Sequence, residues 1–401
     1  MNNIFFYVSQ KENIHSLFKT LFLRNVKEKK KVTLLFIHFF RFSLHEQKEI
    51  KINTITNISY IILHFSIKSM MTDTSSNENA AINELLSNGS TKWKKDGIIV
   101  AGYDESTKVE GMNRLKSPYG LAFDSKYQYL YVADYENGRI QCYSVNSDDN
   151  RTGITVLELD DSTSPSSMNP YETGNKPEAI FVDRNNNIFV SEAALPHRLL
   201  KLSPNGTLTT VIESNDNTFQ SCSGIYVDKN DNIYIADWNQ STVFKFDKNG
   251  QNREIVAGGN DYGDASNQLS HPKDVFVAEK SGNIYVTDYL NQRIQCWSPG
   301  SKVGVTVCGG NNDGDNLNQL NHPWSVIVDN NEKQIYVGDG LNGRVVRWSI
   351  GKKQGDIIVG NNDQSKKLSR VGGIAFDQNG NLYVADLNKN VIQKFLIDNE
   401  I

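Results

Sequence analysis

Ser117-Pro118-Tyr119-Gly120-Leu121-Ala122-Phe123-Asp124, followed by Leu130-Tyr131-Val132-Ala133-Asp134 and Asn137-Gly138-Arg139-Ile140-Gln141-Cys142-Tyr143, is the stretch from which the architecture follows. Its three short runs are rich in β-branched and aromatic residues and are separated by acids, Asn and Gly, which reads as strands joined by tight turns. The phrase returns as His322-Pro323-Trp324-Ser325-Val326-Ile327-Val328-Asp329, Ile335-Tyr336-Val337-Gly338-Asp339 and Asn342-Gly343-Arg344-Val345. The acid closing the second run recurs at Asp134, Glu192, Asp237, Asp288, Asp339 and Asp386, at spacings of 58, 45, 51, 51 and 47 residues. Six units of this period, without helical periodicity, predict an all-β, six-bladed β-propeller with four antiparallel strands per blade.

A fourth run follows five of the units, at Ile154–Leu157, Leu208–Ile212, Ile255–Gly259, Val305–Gly310 and Ile357–Gly360. The sixth unit ends after Gln393–Ile397 without one, whereas Ile98-Ile99-Val100-Ala101-Gly102 stands alone ahead of the first. An N-terminal strand is therefore expected to complete the last blade and remove the open sheet edges. That places the propeller at residues 96–401 and leaves 1–95 as a poorly structured leader.

The phrase Tyr131-Val132-Ala133-Asp134 with Asn137, Arg139, Ile140 and Gln141, preceded by Pro118 and Leu121-Ala122, resembles the NHL repeat, as does the later Val256-Ala257-Gly258-Gly259. The resemblance covers about three quarters of the chain. Its signature pairs are complete at Asp134 and Arg139, Asp288 and Arg293, and Asp339 and Arg344; Thr242 and Val391 replace Arg in the third and sixth units, and the second carries Ser191-Glu192 with a longer turn. A recurring acid and Arg at a turn reads as a structural tie between strands, by a charge-assisted hydrogen bond.

The net charge of −4 divides into 14 Lys+Arg against 7 Asp+Glu over residues 1–95 and 28 against 39 in the remainder. An acidic propeller lacks the clustered cations that release counterions from nucleic acid, so nucleic-acid binding is not expected. Within residues 1–70 the apolar runs at 32–40 and 58–67 are shorter than a bilayer span. No membrane span is expected, and a cytoplasmic monomer is favoured over a secreted protein. Cys142, Cys222, Cys296 and Cys308 show no metal-type spacing. A hairpin centred near Lys302 would set Cys296 opposite Cys308, but reduced thiols are the preferred reading.

Residues 132–142 also resemble the peptidyl-hydroxyglycine amidating lyase, which implies zinc-binding histidines directly after the Pro that starts the inner strand and a catalytic Arg directly after the Asp of Val-Ala-Asp. Here the post-Pro positions are Tyr119, Glu178, Ser223, Lys273, Trp324 and Gly372, and the post-acid positions Tyr135, Ala193, Trp238, Tyr289, Gly340 and Leu387. His197, His271 and His322 would serve zinc only by turning into the channel. Lactonase-like propellers hold calcium, yet Asn260–Asp264 and Asn311–Asn316 lack the ligand spacing of a calcium loop and read as solvated connections. No enzyme activity and no cofactor are expected, with a metal-dependent propeller enzyme as the alternative.

Both sets of positions ring one mouth of the channel, because the first two strands of a blade run antiparallel. Five of these twelve positions are aromatic, Tyr119, Tyr135, Trp238, Tyr289 and Trp324, in a chain with 10% aromatic residues. This ring, with Glu178 and Lys273 adding polar specificity, is the expected binding site for a protein, peptide or glycan. Packing of the same aromatics as a channel cap is the competing expectation. The NHL resemblance further implies a stand-alone recognition module of the tripartite-motif ubiquitin-ligase lineage, since Cys-His ligand clusters are missing.

Overall fold

The computed structural model describes residues 82–103, 114–145, 151–159, 175–193, 195–215, 218–360 and 368–398. Every described residue lies within the unit Asp73–Ile401. The leader reading of residues 1–81 falls outside the described residues.

Six four-stranded antiparallel sheets form the blades. Blade 1 is Pro118–Phe123, Tyr129–Asp134, Arg139–Ser144 and Ile154–Glu158. Blades 2 to 5 span 177–213, 222–258, 272–309 and 323–359. Blade 6 takes three strands from Val371–Phe376, Leu382–Asp386 and Val391–Phe395, and its fourth, Ile98–Gly102, from the far end of the sequence. Each first strand lies against the first strand of the next blade, and blade 6 against blade 1, so the ring closes as the sequence predicts.

Burial grades outward along each blade. Second strands such as Ile233–Asp237 and Leu382–Asp386 are buried at every position, because neighbouring blades cover both faces. Fourth strands such as Glu254–Gly258 are exposed along much of their length. The cores lie between blades: Phe189 and Leu199 of blade 2 pack with Ile235, Phe244 and Phe246 of blade 3. Tight turns at the far end of the first strands are built on Asp; Asp183 and Asp228 each accept the backbone N–H groups two and four residues onward at 2.8 Å.

Every first strand carries a bulge near its start, as between Pro118 and Leu121. A bulge re-aims the residue after the Pro, which is how the repeat sends that side chain to the channel mouth. Inside the channel the inner strands approach so closely that a Cβ on Gly224 would lie 2.7 Å from the Cα of Asp274.

Residues 82–95, which the sequence places ahead of the expected domain boundary, pack onto the propeller. Residues 82–87 form a helix. Leu86 and Trp93 are buried against Tyr336, Val371 and Phe376, and the Trp93 indole N–H donates to Gly380 O at 2.9 Å. Ser87 Oγ donates to Asp329 at 2.5 Å, and Arg347 donates to Thr91 O at 2.7 Å. The strap thus covers blades 5 and 6 at the end away from the mouth.

All four cysteines are free thiols. Cys296 stands opposite Val305 and Cys308 opposite Ile294, because a bulge between Ile294 and Gln295 shifts the hairpin register. The facing arrangement of Cys296 and Cys308 is therefore not formed.

Candidate functional site

The signature pairs form as the repeat predicts. Arg139, Arg293 and Arg344 donate through Nε to Asp134, Asp288 and Asp339 at 2.8, 2.7 and 2.7 Å, and all three carboxylates are fully buried. The guanidinium also gathers the loop that enters its blade: Arg293 reaches the carbonyls of Asp264, Ala265 and Gln268, and Arg344 those of Asp315, Asn316 and Gln319. The Asn-rich loops at 260–264 and 311–316 are thus anchored on an arginine at their ends, through the carbonyl of Asp264 in one and those of Asp315 and Asn316 in the other. In blade 2 the longer Glu192 spans the longer turn to reach Arg198 at 2.5 Å. Where Arg is missing, Asp237 instead accepts backbone N–H groups from Gln220, Ser221, Asn239 and Gln240.

The residue before the first strand is left-handed in three blades, at Ser117, His271 and His322 with φ of 49°, 54° and 55°. Each backbone N–H is caught by a side chain from the preceding blade's turn: Asn390, Ser241 and Gln292, themselves at φ of 58°, 49° and 55°. Strained backbone persists only where its surroundings fix it, and here the strained residues come in three pairs at the rim of the mouth, one member fixing the other.

Within that rim all seven predicted residues meet. Tyr119 and Tyr135 stack at 4.0 Å with an interplanar angle of 8°, and Trp324 stands edge-on to Tyr119 at 5.0 Å. Tyr289 bridges Trp238 at 5.1 Å and Trp324 at 6.3 Å. At the centre the Lys273 ammonium lies 4.3 Å from the Trp324 ring and 5.3 Å from those of Tyr119 and Trp238, while pairing with the Glu178 carboxylate. The propeller therefore fills an aromatic cage with its own cation, the arrangement that cation–π attraction favours.

Exposure separates the seven. Lys273, Tyr289 and Trp324 are 6%, 8% and 8% exposed, whereas Tyr119, Tyr135, Trp238 and Glu178 are half-buried. The first three form a buried floor, and the remaining aromatics keep exposed surface at the mouth. Burial pushes the Tyr119 phenol well above the usual tyrosine range and Tyr135 up to about 12, with Glu178 and Glu136 adding to both, so each hydroxyl remains a donor. His271 and His322 lie edge-on to Trp238 and Tyr289 at 4.9 and 4.6 Å; burial lowers both, and Arg370 lowers His322 further.

Two residues that the sequence does not single out belong to this site. Arg370 lies over Trp324 at 5.2 Å. It precedes Val371, which replaces Pro, whereas the positions that the repeat marks as facing the mouth follow the Pro. Asp274 follows Lys273 into the channel, on the strand position that other blades fill with small residues. Among the described residues no three of His, Cys, Asp and Glu converge as a metal-ligand set, and no helix is long and apolar enough to cross a membrane.

Comparison with known proteins gives a match to the NHL repeat model over residues 219–246, which is blade 3 up to its third strand. The chain is 26% identical over 208 residues to peptidylglycine alpha-amidating monooxygenase of Rattus norvegicus, covering 50% of this chain and 21% of that protein. It is 24% identical over 317 residues to Protein SUPPRESSOR OF QUENCHING 1, chloroplastic, of Arabidopsis thaliana, covering 72% of this chain and 26% of that one. The chain thus matches only about a fifth to a quarter of the length of these relatives. In fold it resembles an auxiliary nutrient binding protein from Bacteroides thetaiotaomicron VPI-5482, at a TM-score of 0.58 and 14% identity over 76% of this chain and 77% of the other. The chain is therefore a closed six-bladed β-propeller whose third blade matches the NHL repeat model and whose Asp–Arg tie recurs in three other blades, which supports an NHL-repeat propeller.

Proposed function

We propose that this propeller is a non-catalytic recognition module that takes a peptide, a protein loop or a glycan at the aromatic mouth. The observation that carries this reading is the pre-organised cluster of Tyr119, Tyr135 and Trp238, half-exposed and fixed from beneath by caged Lys273. Rigid aromatics give large contact area at low entropic cost, which is why Tyr and Trp dominate binding hot spots. Residue identities support binding over lyase chemistry: the post-Pro positions hold no His, and the post-acid positions no Arg. The nutrient binding for which the Bacteroides protein is named agrees with this use of the fold, while the monooxygenase name marks the enzymatic alternative.

The test is an array of peptides and glycans probed with the full chain and with Tyr135→Ala and Trp238→Ala. Wild-type binding that weakens by about thirtyfold in the variants, at an unchanged melting temperature, supports recognition at the mouth. Binding that survives both variants, or loss of binding only together with lost stability, overturns it.

A further inference from the structure

Among the described residues, the cations that neighbour Arg370 at the mouth have carboxylate partners. Lys273 has Glu178, and Lys176 lies 3.7 Å from Glu136 while covering the Tyr135 ring. Arg370 does not. Its guanidinium lies over Trp324 and donates one long hydrogen bond, 3.4 Å, from Nη2 to the Tyr289 hydroxyl. Its Nε is buried without an acceptor, and among the described residues no carboxylate pairs with it. The contrast with Arg293, which spends the same donors on one carboxylate and three carbonyls, is complete.

A half-buried guanidinium with unmet donors is unfavourable by itself, and its planar fork matches the two oxygens of a carboxylate. Resting on the mouth's role in recognition, we infer that Arg370 anchors a carboxylate of the bound ligand. A phosphate dianion fits less well, because Lys273 and Lys176 are already paired and residues 96–401 are acidic. The carboxylate comes either from an acidic side chain or from the end of a peptide, and both present the same two oxygens to the same fork.

The direct test titrates the full chain with sodium benzoate and with its neutral isostere benzamide, by saturation-transfer NMR. Benzoate binds measurably tighter than benzamide, Arg370→Gln loses that preference with a fall of about tenfold or more in benzoate affinity, and Arg370→Lys retains part of it. Equal binding of the two compounds, or an Arg370→Gln variant that binds benzoate as wild type does, overturns the inference. A second arm takes peptides that bind the mouth and compares Glu with Gln and free with amidated ends, which separates the two carboxylate sources. Peptides that bind equally well without any carboxylate leave the recognition reading standing and sink the anchor. Arg370-dependent benzoate binding with no hit on the peptide and glycan array does the reverse.

Discussion

Asp274 occupies the third position of its first strand, where the other blades carry Gly120, Ala179, Gly224, Ser325 and Gly373. Its carboxylate accepts the N–H groups of Val275 at 2.9 Å and Val326 at 3.0 Å, so it ties blade 4 to blade 5 within the channel. Burial nevertheless pushes its carboxyl up to about 7, against the opposing pull of those N–H groups and of Lys273. With the folded value above the ordinary 3.8, folding takes up a proton in this interval. The contribution of Asp274 to stability is then present in full below about pH 4 and lost as the pH rises towards 7. Wild type should lose melting temperature relative to Asp274→Asn between about pH 5 and pH 8, and parallel stability curves for the two would contradict this. The repeat marks Asp274 as an acid where the other blades carry small residues, but not what surrounds it. Its environment is made by inner strands of three blades, and their approach leaves it half-buried.

At the scale of elements, the strap before the closing strand adds a contact that no repeat encodes, because the strap belongs to none. Trp93 is 2% exposed, its ring 5.9 Å from those of both Tyr336 and Phe376. Trp93→Ala should cost about 3–5 kcal/mol in urea unfolding, as truncation of large buried aromatics does. Ligand binding at the mouth should not change, since Gly380 and Asp329, which hold the strap, sit in turns at the opposite end of their blades. A variant that weakens binding as much as stability would show that the strap governs the mouth. The strap also moves the structured start of the propeller to at least residue 82. A polar stretch ahead of Gly97 gives a weak periodic signal in the sequence, and burial of its few apolar side chains decides its structure.

For the molecule as a whole, closure rests on Ile98–Gly102, which pairs with Val391–Phe395 and buries Val100 and Ala101. Deleting residues 97–102 exposes the edge of blade 6 and its core, and should lower the melting temperature by about 10 °C or more; an unchanged value would mean that the ring does not depend on this strand. The six-fold count, the missing fourth strand and its replacement from the N-terminus follow from the sequence by itself, because a repeat writes its strand spacing and turn chemistry locally. The ring of mouth positions follows as well, from the alternation of strand direction. Only the tertiary structure decides what those side chains do. Lys273, read as a determinant facing the ligand, turns inward to Glu178 and three aromatic rings, since a cation ringed by π-faces and a carboxylate is better served there than in an open mouth. Among the described residues of the mouth, Arg370, at a position where the repeat loses its Pro, is a cation left with donors to offer, and that depends on which groups from other blades arrive beside it.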